Sequence, residues 1–259
     1  MKYYSAKPDK NVYFLTYHSY TYTLRSFHRR PNLNKKKGEE ILFVSGAAGA
    51  VGSLVGQIGK KVFNLKVIGS CGGEKKGKRI VESYGFDHAI DHRTLPKRTG
   101  EVGNYDWTLR KEELKKRLKA VAPNGIDMYY DNVGEAHFEA AFESLRGEGR
   151  IAICGGIASY NDAVPTKPRI YPGRMIYAFQ RIEGFVCRPW LSGKRGNFLK
   201  DMSKWLQQGL IQVPETKYDG IAKWPLAFRN LFVNTEQKEG KVVIAISDED
   251  FSDIEVVDA

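Results

Sequence analysis

Residues 41–58 read Ile41-Leu-Phe-Val-Ser-Gly-Ala-Ala-Gly-Ala-Val-Gly-Ser-Leu-Val-Gly-Gln-Ile58. The first five are mostly apolar and of strand length. The next seven are all Gly, Ala or Val, and Leu54, Val55, Ile58 and Val62 then form one helical stripe. The stretch spells strand, tight turn, helix. Its glycines, Gly46, Gly49 and Gly52, depart from strict Gly-x-Gly-x-x-Gly, because Ala48 stands where another glycine is usual. Side chains this small let backbone amides approach a pyrophosphate, and the helix start at Ala50 to Ser53 offers unpaired N–H groups and the positive end of its dipole. The bland alternative is a tight turn that binds nothing.

Outward from that turn, short β-rich runs alternate with amphipathic stretches, the pattern of crossover units on a parallel sheet. Strands are expected at Leu65–Ser70, His88–Ile90, Ile126–Tyr130, Arg150–Cys154, Ile182–Val186, Ile211–Glu215 and Val242–Ile246. Helices are expected through Ile80 to Tyr84, stopping at Gly85, and over Phe198–Leu206 and Leu226–Phe232. Two more follow the spacings Leu114, Leu118, Val121 and Phe138, Phe142, Leu145. Residues 92–108, with Pro96, Gly100 and Gly103, are expected to be a loop. The expected fold class is α/β, a Rossmann-type doubly wound parallel sheet over residues 38–246.

Cofactor choice in such a fold is read where the second strand ends. An NAD enzyme usually places an Asp or Glu there for the ribose 2′-OH. Here the strand runs out in Ile68-Gly-Ser-Cys-Gly72, and Glu74 arrives late, followed by Lys75, Lys76, Lys78 and Arg79. Cations without an early carboxylate favour a 2′-phosphate, hence NADPH over NADH. A merely solvated helix face is the alternative reading of these lysines.

The net charge of +11 is concentrated at the front: residues 1–37 carry nine Lys or Arg against Asp9 alone, together with six tyrosines. Residues 247–259 are the reverse, an acidic tail holding Asp248, Glu249, Asp250, Asp253, Glu255 and Asp258. A basic head and an acidic tail read as solvated ends, so no nucleic-acid partner is expected, although the basic-aromatic composition of the head leaves that as a third reading. Cys71, Cys154 and Cys187 are scattered and show no Cys-x-x-Cys spacing, which speaks against a disulfide framework or a cysteine-built zinc site. No apolar run reaches the roughly 18 residues of a membrane helix, and no signal peptide is evident, so the expected location is cytoplasmic, with no membrane partner.

Three motifs carry a family resemblance: Gly46–Ile58, Asp127–Gly134 (Asp-Met-Tyr-Tyr-Asp-Asn-Val-Gly) and Gly149–Asn161 (Gly-Arg-Ile-Ala-Ile-Cys-Gly-Gly-Ile-Ala-Ser-Tyr-Asn). In this order they resemble the zinc-independent medium-chain dehydrogenase/reductases of the prostaglandin reductase (alkenal/one oxidoreductase) group, over about residues 38–246. The resemblance implies NADPH-dependent reduction of the carbon-carbon double bond of an enone or enal, with no metal. It places Ala48, Gly49, Ala50, Val51 and Gly52 on the pyrophosphate, and Lys76 or Lys75 on the 2′-phosphate. Asn132 is assigned beside the nicotinamide half. Cys154, Gly155, Gly156, Ile157, Ala158, Ser159 and Tyr160 are assigned around the nicotinamide ribose, and Phe185, Val186 and Cys187 to the carboxamide. Tyr160 is the candidate catalytic hydroxyl, polarising the substrate oxygen; its bland alternative is a turn tyrosine, and Asn132 could equally be a turn former. His92 stands where the family has a tyrosine near the adenosine, and Lys238 where it has an asparagine, so both are cofactor-binding candidates by position.

Such reductases carry a catalytic domain of roughly a hundred residues before the nucleotide domain, with substrate between the two. Here 37 dissimilar residues precede it, so the chain is expected to be the cofactor half with its substrate half missing or replaced. Its last strand is then expected to have an unsatisfied edge. The rival reading is a non-catalytic NADP-binding or interaction protein. Under either, a homodimer or association with a full-length reductase is the expected assembly.

Overall fold

A computed structural model describes residues 40–101, 104–164, 167–185, 198–233, 238 and 240–246. The expectations for residues 1–37, the tail from 247 and the cofactor contacts Val186 and Cys187 lie outside the described residues. The main sheet has six parallel strands: β1 (Ile41–Ser45), β2 (Lys66–Cys71), β3 (His88–Asp91), β6 (Ile126–Asp131), β7 (Leu145–Ile153) and β8 (Arg181–Gly184). Their order across the sheet is β3-β2-β1-β6-β7-β8. The order reverses between β2-β1 and β1-β6, which opens a crevice at the carboxyl ends of β1 and β6.

Alternation along β1 explains the two layers. Ile41 and Phe43 face a cluster containing Leu114, Leu118, Phe138 and Phe142, from helices α3 (Thr108–Val121) and α4 (Glu135–Ser144). Leu42 and Val44 face the opposite cluster with Val55, Ile80 and Phe86, under α1 (Ala50–Gln57) and α2 (Glu74–Glu82). All five β1 residues are buried, as a strand covered on both faces requires. Helix α1 is buried all round from Gly52 to Gln57, and its predicted stripe continues through a π-helical turn at Ile58–Val62. Gly85 ends the α2 region with φ of +81°, a conformation glycine tolerates.

Three expectations are corrected. Leu145 opens β7, opposite Ile126, instead of closing α4. The 92–108 stretch holds a 3-10 turn at His92–Thr94 and an antiparallel pair, β4 (Thr99–Glu101) with β5 (Asn104–Asp106). The strand expected at Ile211–Glu215 lies later, as β9 (Glu215–Asp219). Ile211 instead packs with Ile58, Met202 and Trp205, docking α6 (Phe198–Gln207) beside the end of α1. The last strand, β10 (Lys241–Ala245), pairs in parallel with β9 in a separate two-stranded sheet, so one of its edges is hydrogen-bonded and the other has no strand beside it among the described residues. Between them lies α7 (Trp224–Asn230), and α5 (Pro172–Tyr177) precedes β8. Among the described residues no helix is long and apolar enough to cross a membrane.

Candidate nucleotide site

The turn between β1 and α1 is closed by its own backbone. The Gly49 N–H donates to the Gly46 carbonyl at 3.0 Å, with Gly46 at φ of +61°. A Cβ on Gly52 would lie 2.9 Å from Ala47 Cα and collide with the Gly46 carbonyl oxygen, so only glycine fits against the turn. Gly49 caps α1 without any side-chain hydrogen bond, and the first turn of the helix has no acidic residue. A helix start of this kind can receive an anion. Ala48, Gly49, Ala50 and Val51 are half-buried around it. Gly49 also forms an isolated parallel bridge with Gly240, and both line a cavity of ≈ 390 Å³ together with Ala50, Trp224, Phe228 and Lys238.

At the end of β2 the structure separates the two lysine candidates. Lys75 is exposed, whereas Lys76 is 9% exposed and turned inward. Burial, then the charges of Lys238 and Arg93, lower the Lys76 pKa, and burial lowers that of Lys238. Arg93 Nε and His92 Nε2 stand at the place where a side chain on Gly72 would begin, at 3.0 and 3.2 Å. Repulsion among Lys76, Lys238 and Arg93 makes this a place where a bound dianion is favourable. Glu74 does not oppose it, being exposed and paired with Lys78 at 2.7 Å. Asp91 uses its carboxylate to accept from the Gly73 and Arg93 N–H groups, which fixes the turn. Arg93 is missing from the candidates read in the sequence; its only signal there is a cation directly after β3.

His92 lies beside His137, ring centroids 5.9 Å apart and edge to face. Burial, followed by the nearby Arg110 charge, pushes His92 down to about 4; burial, then His92 and Arg110, push His137 to about 3. Both imidazoles are neutral at pH 7. His137 exchanges a 3.0 Å hydrogen bond with the Ser70 hydroxyl at the end of β2.

The carboxyl ends of β6 and β7 form the other half. Asn132 donates its side-chain amide to the Ser45 carbonyl at 2.6 Å and its N–H to the Ser45 hydroxyl at 3.0 Å, which ties β6 to β1 at the crevice. Asp131, buried beside it, accepts from the Tyr129 hydroxyl at 2.6 Å and from the Val133 and Gly134 N–H groups. Burial raises the Asp131 pKa, against these donors. The Cys154 and Gly155 N–H groups both donate to the Asp131 carbonyl, and Ile157 and Ala158 donate to Asn132 and Val133. Residues 154–159 thus bend over the end of β6, with Ser159 closing a turn onto Gly156. Tyr160 is 67% exposed, and its hydroxyl accepts from the Gly156 N–H at 3.1 Å. That contact leaves the O–H proton directed elsewhere. Phe185 packs edge-on against Tyr130 at 5.9 Å.

Among the described residues no group of three His, Cys, Asp or Glu is placed to hold a metal ion. Burial and Asp91 raise the Cys71 thiol to about 11, an inert position.

A family model described as "Zinc-binding dehydrogenase" matches residues 50–189. Prostaglandin reductase 1 of Bos taurus is 36% identical over 208 residues, 80% of this chain and 57% of that protein. The NADPH-dependent curcumin reductase of Escherichia coli is 30% identical over 223 residues, 85% of this chain and 59% of that protein. The chain thus spans a little over half the length of these relatives. CurA from Vibrio vulnificus, a crystal structure in complex with NADPH, superposes with a TM-score of 0.70 at 31% identity, covering 89% of this chain and 62% of that one. The six-stranded order, the glycine turn and these matches agree: the chain belongs to the medium-chain dehydrogenase/reductase family, in the zinc-independent group that resembles the prostaglandin reductases.

Proposed function

We propose that the chain binds NADPH and serves in reduction of the carbon-carbon double bond of α,β-unsaturated ketones or aldehydes. The observation that carries this reading is the cation set at the end of β2: Lys76 is buried there, Lys238 and Arg93 act on it, Glu74 is paired outward with Lys78, and the neighbouring Asp91 carboxylate is engaged by the Gly73 and Arg93 N–H groups. NADPH differs from NADH only by a 2′-phosphate, which such a set receives. The amides in the first turn of α1 would take the diphosphate, the Gly49 N–H being held by the Gly46 carbonyl. The names of relatives, among them the NADPH-dependent curcumin reductase of Escherichia coli, support the same cofactor.

Bound NADPH would supply a hydride to the β-carbon of the substrate. The protein's part is to hold the nicotinamide half against the loop 154–160 and to stabilise the negative charge that develops on the carbonyl oxygen. Tyr160 suits the second task. Its hydroxyl already accepts the Gly156 N–H, so its own proton is available to that oxygen, and its exposure allows substrate to reach it. Phe185, with Val186 and Cys187 beyond the described residues, would face the carboxamide. A cytoplasmic location is part of this reading. So is assembly with a second copy or a full-length reductase, supported by exposed Tyr171, Ile176, Tyr177 and Phe179 near the sheet's outer strand β8.

The test is calorimetric titration with NADPH and NADH, followed in the same sample by NADPH oxidation with a simple enone. Preferential NADPH binding with turnover supports the whole reading. Tight NADPH binding without turnover leaves a nucleotide-binding protein and removes the catalytic part; affinity for neither nucleotide removes both.

A further inference from the structure

We infer that Arg98 is a positioning residue for the nicotinamide-side loop, clamping the segment that carries Tyr160 and so setting how firmly the nicotinamide half of the cofactor is held. The inference rests on the nucleotide reading proposed above.

Arg98 precedes β4, in the stretch where the sequence suggests only a loop. Its guanidinium forks onto both oxygens of Asp162, at 2.8 and 2.9 Å, and donates to Glu135 Oε1 at 2.6 Å. It lies 3.5 Å from the Ala158 carbonyl and is stacked 3.9 Å over the Tyr105 ring. Three segments distant in sequence meet on this one side chain: the start of α4, the β4–β5 hairpin and the loop after β7. Asp162 sits at the surface, yet Arg98 covers it, leaving 6% of its side chain exposed beside 7% for Glu135. Exposed ion pairs contribute little, but a two-toothed fork on covered carboxylates holds geometry.

The loop is fastened at two places. Its start is held by the Ile157 and Ala158 N–H groups on the Asn132 and Val133 carbonyls; its end is held by Asp162 on Arg98. Tyr160 stands between the two fastenings. Without Arg98, the Glu135 and Asp162 carboxylates lose the cation they share. Glu135 begins α4 at φ of +47° and is buried, so Asp162 is the group free to swing into water, taking the loop with it. A lysine at this position keeps the charge and loses the fork.

The experiment titrates the full chain with NADPH, followed by its fluorescence, and with adenosine 2′,5′-diphosphate, followed by calorimetry. Both ligands carry the adenosine and 2′-phosphate, and only the first carries nicotinamide. For Arg98→Ala, NADPH affinity should fall about tenfold, equivalent to about 1.4 kcal/mol, while the fragment binds within twofold of the parent protein. Arg98→Lys should recover part of the loss, and Asp162→Asn should reproduce it. Asp162→Asn carries the same comparison if Arg98→Ala does not fold. Unchanged NADPH affinity overturns the inference, as does a parallel loss of both ligands, which marks general damage. A parent protein that binds neither ligand overturns the nucleotide reading itself, a failure separate from either of those.

Discussion

The two ends of the crevice are made by different means. On the adenosine side, Gly69 leaves room for Ile80, Ala47 and Phe86, and Lys76 and His137 are embedded in packed structure. On the nicotinamide side, Ile157 and Tyr160 are more than half exposed, and the loop is held by backbone hydrogen bonds and the Arg98 fork. Close packing is stiff, because any shift opens voids or clashes. Polar fastenings at a surface are exchangeable with water. The end proposed for the adenosine is therefore a fixed anchor that comes with the fold, and the end proposed for the nicotinamide is a separable part, expected to be alterable without loss of the sheet.

Breaking the anchor should have the largest effect. Gly52→Ala puts a methyl group into the Gly46 carbonyl, and is expected to abolish nucleotide binding and cost about 3 kcal/mol of stability, read by calorimetry and denaturant unfolding. Acid should attack the same end. The folded values of His92 and His137 lie below the ordinary 6.5, so the unfolded chain takes up protons first as pH falls. Their contribution is fully present above pH 6.5 and is lost as pH drops toward about 4. The loss is roughly a few kcal/mol for the pair, a tenfold change in proton affinity being worth about 1.4 kcal/mol, and its His137 part extends down to about pH 3. Unfolding midpoints across that range should decline, and should decline less in His137→Asn. A flat profile would show that the pair is not held neutral.

Smaller changes sharpen the contrast. Lys76→Ala should weaken NADPH about thirtyfold and leave NADH unchanged, whereas Lys75→Ala should leave both within twofold; equal losses from the two would contradict the inward turn of Lys76. At the separable end, Tyr160→Phe should lower kcat with an enone about tenfold without changing NADPH affinity, the signature of a group used only in the reaction.

The anchor is also the legible end. Strand β1, its turn and α1 follow from side chains close in sequence: five strand-forming residues, three spaced glycines and an apolar stripe. Leu145 misleads because its spacing from Phe138 and Phe142 is helical, while its place is decided by pairing with Ile126 in β6. Ile211 and Val213 have the composition of a strand, yet Ile211 fills a cluster beneath α6, and the polar run Glu-Thr-Lys-Tyr-Asp becomes β9 because β10 pairs with it. Lys76 is one of two candidates until helical phase chooses between them. Arg98 is invisible in the sequence, since ion pairs to partners 37 and 64 positions away leave no periodic trace.

The single rung between Gly49 and Gly240 gives the diphosphate turn a second attachment. Gly240 adopts φ of +56°, and a side chain there would strike the Pro214 carbonyl, so the ribbon formed by β9 and β10 has to enter this junction without one. The exposed rings of Trp224, Phe228 and Phe232 lie between the two strands of that ribbon in sequence and pack ring against ring in a row. A late segment of the chain thereby meets the turn after the first strand through one main-chain contact.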